Sequence, residues 1–385
     1  MRFARPSFTT LIVAWAITAL MLLTVVLIPA VAGFEVTLVT GPRPETTQGQ
    51  VVEVLARTTI QTGRTTIEHE ELAVAVGSQR VTVIRDRDLN EAGTLHLAPG
   101  DRVLLTKVQT PSGDQYLIVD RVRTTALVVL ALAFAAMVVL TARLIGASSL
   151  LGLVCVLLVL LRYVVPGIIS GYDPVTIATT GGLVIMIITL YLAHGVNRKT
   201  SVALLGTTVS LVFTAALAVI AVEATQLTGL TSEDTAVLQV LTGARIDPAG
   251  LLLAGIIIGT LGVLDDVTIA QSSAVFELRR ANLLLGPLDL YRRAMNVGRD
   301  HISATVSTLV LAYAGASLPL LMLLVVQGES LLVQLNREFI AAEAVRTLVG
   351  SMGLIAAVPL TTLIATFVAG HTTPEVIAED AAQRH

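Results

Sequence analysis

The sequence predicts a mainly α protein: a polytopic membrane helix bundle of about eight transmembrane helices, with one small β-rich domain outside the membrane. The mean hydropathy is +0.81, and only 14% of the 385 residues are charged. Soluble domains carry about 25% charged residues. A soluble core cannot bury apolar side chains in this proportion, so lipid must solvate most of them.

Eight apolar runs are long enough to cross a bilayer, which needs about 20 residues. They are Leu11–Ala32, Thr125–Leu144, Ser148–Ile169, Pro174–Gly195, Ser201–Ala224, Ala249–Ser273, Ser303–Gln327 and Val349–Gly370. The first run follows Arg2 and Arg5 and ends near Ala30-Val-Ala32, as a cleavable signal peptide does. Because the run is long for a signal peptide, we favour a retained helix, and cleavage would leave seven spans.

The stretch Glu35–Arg123, between the first two spans, is polar and rich in turn residues. Its short runs of strand-forming residues are Gln50–Leu55, Thr65–Val76, Arg80–Ile84, Arg102–Val108 and Tyr116–Val119. Alternating polarity between Gly- and Pro-containing turns is typical of strands. We therefore predict a small OB-like barrel or sandwich.

Basic residues in short loops predict the orientation. One side carries Arg2, Arg5, Arg143, Arg198, Lys199, Arg279, Arg280, Arg292, Arg293 and Arg299, and the other carries Arg162, Arg245, Arg337 and Arg346. This bias places both termini in the cytoplasm and the β-rich domain outside, which agrees with an even number of spans.

The resulting organisation has four parts. They are an N-terminal transmembrane helix at 1–34, an extracytoplasmic β-rich domain at 35–123, a seven-helix bundle at 124–371 and a cytoplasmic tail at 372–385. Within the bundle, residues 276–300 are amphipathic and rich in arginine. We predict a pair of short helices there, lying at the cytoplasmic membrane surface.

The run that begins at Ala249 carries Asp265 and Asp266 in the middle of apolar sequence, with the first basic residues at Arg279 and Arg280. A charge inside the membrane costs several kcal/mol, so such residues are usually buried or hydrated and often carry protons or ions. The alternative is that the helix ends at Gly262–Leu264. The aspartates would then lie at headgroup level and cap the next helix.

Small and polar residues recur on this helix at spacings of three and four, which places them on one face. They are Gly255, Gly259, Gly262, Asp266, Ala270, Ser273 and Glu277. Small residues allow helices to approach closely in lipid. We therefore expect Asp266 on a tightly packed seam, with Asp265 about 100° away around the helix.

The following span carries polar residues at helical spacing. His301, Thr305 and Thr308 share one face, and their side chains could bond to the aspartates of the neighbouring helix. The hydroxyl groups could equally bond back to carbonyl groups of their own helix. His301 lies at the cytoplasmic end of the span.

Signatures of enzymes are missing from the sequence. It contains no P-loop, no nucleophile elbow and no histidine or cysteine cluster with metal-ligand spacing. The single cysteine, Cys155, lies in an apolar run. We therefore predict no catalytic residues, no metal and no cofactor, and the net charge of −3 gives no reason to expect a nucleic-acid partner.

Four stretches resemble the YibE/F family of bacterial membrane proteins. They are Gly259–Asp266, Ala270–Ser273, Tyr291–His301 and Leu309–Pro319. Together with the predicted external domain, the resemblance covers nearly the whole chain. It implies a multi-pass protein of the bacterial plasma (inner) membrane.

Gly262–Asp266, the amphipathic stretch after it and the Ser/Thr-rich span ending near Pro319 are also similar to the transmembrane core of RND-type permeases and of SecD and SecF. That resemblance implies that Asp265 and Asp266 bind protons that drive transport. The chain departs from these proteins in its smaller external domain, about two extra spans and the lack of an intramembrane lysine.

These observations support two functions. The first is a proton- or ion-coupled transporter of unknown substrate, with Asp265, Asp266 and Glu277 as the relay and Ser273, His301, Thr305 and Thr308 as supporting groups. The second is a non-transporting scaffold, or an assembly or export accessory factor, whose external domain binds a protein partner. A membrane-embedded enzyme acting on lipid is the weakest alternative. The expected partners are the lipid bilayer and, through the glycine positions, a second copy of the chain.

Overall fold

The computed structural model describes residues 45–62, 65–89, 95–110 and 113–371, and five helical positions between Ala16 and Leu23. The chain divides into two compact units, Thr40–Leu140 and Met1–Val39 with Thr141–His385. Most of the predicted first span, Leu11–Ala32, and the predicted tail, 372–385, lie outside the described residues.

Five antiparallel strands form one sheet in the order β3-β2-β1-β4-β5. The strands are β1 (Glu45–Thr62), β2 (Thr65–Val76), β3 (Gln79–Asp88), β4 (Arg102–Thr110) and β5 (Gly113–Arg121). Each of the five predicted runs lies within one of these strands, so the β-rich character of this region is confirmed.

The long strand β1 gives the sheet its curvature. Its first residues, Glu45–Gln50, pair with β4, whereas Gln50–Thr62 pair with β2. The register against β2 shifts between Val51 and Glu53 and again between Val54 and Ala56, and bulges of this kind bend a strand. The strands at the two ends of the order, β3 and β5, also lie against each other, so the sheet is a half-barrel.

Alternate residues of the strands fill the inside of the half-barrel. The buried set consists of Val51, Leu72, Val74, Val83, Leu97, Val103 and Leu105. Beside it, the carboxylate of Glu70 is fully buried and bridges Arg57 at 3.1 Å and Arg85 at 2.9 Å. Arg57 and Arg85 also donate to the backbone carbonyl groups of Leu97 and Leu95. The arginines therefore hold the segment before β4 against the sheet.

Ten helices follow the sheet in the part of the chain that the structure describes. They are α1 (Thr124–Arg143), α2 (Ile145–Ile169), α3 (Pro174–His194), α4 (Arg198–Thr225), α5 (Glu233–Leu241), α6 (Pro248–Ala281), α7 (Pro287–Ala316), α8 (Leu318–Val326), α9 (Leu331–Leu335) and α10 (Glu338–His371). Six of them, α1, α2, α3, α4, α6 and α10, are long and apolar enough to span a membrane. Together with the sheet, they show a mainly α chain with an antiparallel half-barrel before the helices.

The first two helices contain two irregularities. Arg143 has left-handed backbone geometry, with φ 53° and ψ −127°, and separates α1 from α2. Within α2, residues Leu160–Val164 form a π-turn directly before Pro166. Proline cannot donate to the carbonyl group four residues earlier and its ring clashes with that carbonyl group, so the helix widens locally.

The predicted span Ser303–Gln327 is not one straight helix. Its first part belongs to α7, which begins much earlier, and its last part is α8, which turns away by 68°. Pro319 lies in the first turn of α8, where its missing N–H costs nothing. The described residues therefore hold six candidate spans, or seven if the bent pair counts as one, so the predicted total of eight is not established.

The prediction of two short surface helices within residues 276–300 is also wrong, because these residues belong to two long helices. Residues up to Ala281 complete α6, and α7 runs without interruption from Pro287. Leu290 and Ala294 on α7 are fully buried in a cluster that includes residues of α4, α6 and α10. The beginning of α7 is therefore packed within the helix bundle and does not lie on the membrane surface as a separate helix.

Helix α10 packs against α4, α6 and α7, and glycines set its distance from two of them. A Cβ atom at Gly206 of α4 would collide with Thr361 of α10, and one at Gly353 of α10 would collide with Thr214 of α4. A Cβ atom at Gly298 of α7 would lie 2.5 Å from the side chain of Val358. These helices therefore approach more closely than two Cβ atoms would allow.

We expect Gly206→Ala to destabilise the protein by about 1–3 kcal/mol, because the added methyl group overpacks the contact with Thr361. Thermal unfolding of the full chain in detergent measures the effect. The second substitution Thr361→Ala removes the colliding atoms and restores most of the lost stability. Equal destabilisation with and without Thr361→Ala would contradict the close α4–α10 contact.

Candidate functional site

Helix α6 carries the two aspartates and is unbroken. It begins at Pro248, where the side chain of Asp247 accepts hydrogen bonds from the backbone N–H groups of Ala249 and Gly250. It continues to Ala281, well past the aspartates. The alternative interpretation, in which the helix ends at Gly262–Leu264 and the aspartates cap the next helix, is therefore wrong.

Between Asp247 and Glu277, Asp265 and Asp266 are the only charged residues of the chain. From Asp266 to Glu277 the helix rises about 17 Å. The two carboxylates therefore lie within the apolar part of a spanning helix rather than at its charged end. A charge at such a position needs water or protein around it.

The side chain of Asp265 points into the bundle. Its Oδ2 atom accepts a hydrogen bond from the hydroxyl group of Thr189 on α3 at 3.3 Å. Its Oδ1 atom is shielded from solvent and has no hydrogen-bond partner among the described residues. One long hydrogen bond is little compensation for a half-buried carboxylate, which can accept several.

A row of hydroxyl groups continues this contact between helices. Thr268 of α6 bonds to Thr207 of α4 at 2.6 Å, and Ser272 of α6 donates to the backbone carbonyl group of Lys199 at 2.8 Å. All three side chains belong to buried residues. The side of α6 that faces α3 and α4 is therefore polar over two turns beyond Asp265.

The other carboxylate, Asp266, is exposed. Gly255, Gly259 and Gly262 are exposed on the same side of α6, and a Cβ atom at Gly255 or Gly262 would have no neighbour within 4 Å among the described residues. Contrary to the prediction, the described residues therefore do not place Asp266 on a tightly packed seam. We call Gly255, Gly259, Gly262 and Asp266 the open face of α6.

Helix α7 borders this open face. The hydroxyl group of Tyr313 lies 3.3 Å from the position that a Cβ atom of Gly259 would occupy. Nearer the aspartates, Val263 of α6 and Val306 of α7 pack in one cluster with Val267 and Leu354. The open face thus runs beside α7 without being covered by it.

The predicted supporting hydroxyl groups do not reach the aspartates. Thr305 donates to the backbone carbonyl group of His301 at 2.8 Å, and Thr308 donates to that of Ala304 at 3.0 Å. This is the second of the two interpretations that the sequence allows. Ser273 is half-buried on α6, and no hydrogen bond joins it to either aspartate.

His301 and Glu277 also lie apart from the aspartate pair. The Nε2 atom of His301 is shielded from solvent and has no hydrogen-bond partner among the described residues. Glu277 is exposed and lies 3.8 Å from Arg280 in a weak surface ion pair. The geometry therefore brings together Asp265 and Thr189, and leaves Glu277 outside the site.

Neither Thr189 nor Gln271 stands out in the sequence. Thr189 is one hydroxyl group in an apolar span, and its partner lies 76 residues away. The buried side chain of Gln271 donates to the backbone carbonyl group of Ala294 on α7 at 2.9 Å and to the hydroxyl group of Thr362 on α10 at 2.7 Å. It fixes three helices together one turn beyond the aspartates.

The site can hold a proton or a small cation on either carboxylate, but it does not resemble a metal centre. No group of three or more histidine, cysteine, aspartate or glutamate side chains comes together among the described residues. A divalent cation would need more oxygen ligands than Asp265 and Thr189 supply.

These apolar helices, with carboxylates inside one of them, define an integral membrane protein. The chain belongs to the family described as YibE/F-like protein, whose model matches residues 130–371. Comparison with curated proteins and with solved structures finds no match.

The family match covers the helices and begins after the sheet. The sequence resemblance to the family therefore extends over the bundle, not over nearly the whole chain as predicted. The more distant resemblance to RND permeases and to SecD and SecF stays a prediction.

Proposed function

We propose that the protein is a proton- or ion-coupled transporter in which Asp265 and Asp266 are the protonatable pair. The observation that carries the proposal is the difference between two adjacent residues. Asp265 points into the bundle against Thr189, whereas Asp266 lies on the open face of α6. The pair therefore joins the interior of the bundle to its surroundings.

The carboxylate of Asp265 is half-buried and poorly compensated. Holding a charge in the apolar part of a span costs several kcal/mol. Among the described residues, the side chain of Asp265 accepts one hydrogen bond, from Thr189, and its Oδ1 atom accepts none. Binding a proton or a cation removes the uncompensated charge. The free energy of the packing between α3 and α6 therefore depends on whether Asp265 holds a proton or a cation.

The contact between α3 and α6 can adopt two packings, and protonation of Asp265 favours one of them. With Asp265 charged, the Thr189 hydroxyl group donates to it; once Asp265 is protonated, its own O–H group becomes a donor that needs an acceptor. The α3–α6 contact therefore differs between the two states. An ion that binds one packing better shifts the population toward it, as alternating access requires.

The location belongs to the same proposal. Family membership and the spans support the bacterial plasma membrane. The arginines at the end of α6 and the beginning of α7 support cytoplasmic termini and an extracytoplasmic position for residues 35–123. The sides of α6 that form hydrogen bonds with neighbouring helices pack within one chain. The open face of α6 is available for contact with a second copy of the chain.

We expect Asp265→Asn to reduce ion movement in proteoliposomes to the level of empty liposomes, because asparagine neither binds nor releases a proton. A trapped pH-sensitive dye follows internal pH while a pH gradient and a membrane potential are imposed. Asp266→Asn is expected to impair the same signal.

The matched control is Glu277→Gln, which removes a carboxylate from the same helix outside the pair. It should retain the parent signal. If the double variant Asp265→Asn/Asp266→Asn moves ions as fast as the parent chain, the aspartates are no relay and the proposal is wrong.

One observation favours the scaffold as a second candidate. Beyond Gln50, β1 pairs with β2 on one side, and no other described strand pairs with its opposite side. Leu55 and Ile60 on this part of β1 are about half exposed. An open strand edge can bind an extended segment of a partner. The strand order also supports the proposal of an OB-like barrel, a fold that binds ligands on its surface.

A photo-cross-linking residue at Leu55 tests this second candidate in intact cells. If a partner pairs with β1, Leu55 forms one stoichiometric protein adduct. The same residue at Leu117, on β5, should form none, although both leucines are 49% exposed. Adducts at neither position, together with ion movement in liposomes, would reject the scaffold.

A further inference from the structure

The turn between α6 and α7 carries an exposed surface that the proposed transport does not use. It comprises the end of α6, residues 282–286 and the first two turns of α7. We call residues 279–293 the basic turn. Leu284 at its tip is 94% exposed, and Leu288 in the first turn of α7 is 60% exposed.

Arginines surround these leucines. Arg280, Arg292 and Arg293 are exposed, and Leu288 lies one helical turn before Arg292 on the same side of α7. Arg280 lies 3.8 Å from Glu277, which is a weak contact, and no carboxylate of the described residues forms an ion pair with Arg292 or Arg293. Their positive charge is therefore available to an anion outside the chain.

Arg279 serves a different purpose. Its guanidinium group donates to the backbone carbonyl group of Leu285 at 2.6 Å, and the side chain of Asn282 accepts from the backbone N–H group of Leu284. On the other side of α7, Leu290 and Ala294 are fully buried. The basic turn is thus held in a defined shape, with Leu284, Leu288 and the exposed arginines pointing away from the bundle.

We propose that the basic turn binds the anionic phospholipid surface of the bilayer that holds the helices. Such a surface has an apolar part and an anionic part. Its acyl chains can contact the exposed leucines, and its phosphate groups can pair with the free arginines. A free anion in water would leave Leu284 and Leu288 uncovered. The bilayer is also adjacent, because α6 enters the turn directly from its spanning part.

Lipid contact can be measured directly by quenching of tryptophan fluorescence. The parent contains one tryptophan, Trp15, so Leu284→Trp in a Trp15→Phe background gives a single reporter at the tip. The full chain is reconstituted into vesicles of phosphatidylethanolamine and phosphatidylglycerol, with either one or the other brominated. Quenching reports which lipid touches residue 284.

The expected result is quenching by both lipids, with phosphatidylglycerol enriched at the reporter above its share of the vesicle. Arg292→Gln/Arg293→Gln should lower the association constant of phosphatidylglycerol relative to phosphatidylethanolamine at the reporter by about fivefold for each arginine, and quenching by phosphatidylethanolamine should persist. The charge-matched control Arg102→Gln/Arg123→Gln, which removes two exposed arginines outside the basic turn, should leave the enrichment unchanged.

Three results would overturn the proposal. Absence of quenching by either lipid would place the turn in water. Quenching by each lipid in proportion to its share of the vesicle would show that the arginines do not select an anionic lipid. Loss of the enrichment on addition of inorganic phosphate, at constant ionic strength, would identify a soluble phosphate rather than the lipid surface as the ligand.

Discussion

The cost of a carboxylate inside a bilayer is the constraint on which the rest of the structure depends. Helix α6 is long and apolar enough to span a bilayer and carries Asp265 and Asp266 within its apolar sequence; under the proposed function, an uncompensated charge there costs several kcal/mol. The helix continues unbroken through both residues. The surrounding helices must therefore supply polar groups to one carboxylate and access to water or protein to the other.

The bundle meets this constraint unevenly. On the side of Asp265, hydroxyl groups of Thr189, Thr207 and Thr268 line the contacts of α6 with α3 and α4. Close glycine contacts then hold α10 against α4 and α7. On the side of Asp266, α7 borders the open face without closing it. The proposed relay rests on this difference between a carboxylate that faces the polar side of the bundle and one that is exposed.

Much of the fold could be predicted from the sequence, because chain length and hydropathy directly limit what can span a membrane. The spans at Pro174–Gly195 and Ser201–Ala224 agree with α3 and α4 to within a few residues, and all five β-rich runs lie in strands. The bend between α7 and α8 was missed, because Pro319 is compatible with both the first turn of a new helix and the interior of a kinked one.

The orientation of α6 could not be predicted, for a physical reason. Helical spacing shows which residues share a face, but in a bilayer both lipid and the protein interior are apolar, so polarity does not show which face points inward. The spacing of the glycines at 255, 259 and 262 predicts a packed face there, whereas the packed face carries Thr260, Leu264 and Thr268. The partner Thr189 depends on tertiary contact and leaves no local signal.

The most direct measurement of the central claim is the reactivity of cysteines placed at the two aspartates with a water-soluble thiol reagent. In a Cys155→Ser background, the account predicts that Asp266→Cys reacts like Gly262→Cys on the open face, whereas Asp265→Cys is protected like Leu264→Cys, whose parent side chain is fully buried. Equal reactivity at 265 and 266 would contradict the division of the pair between interior and open face.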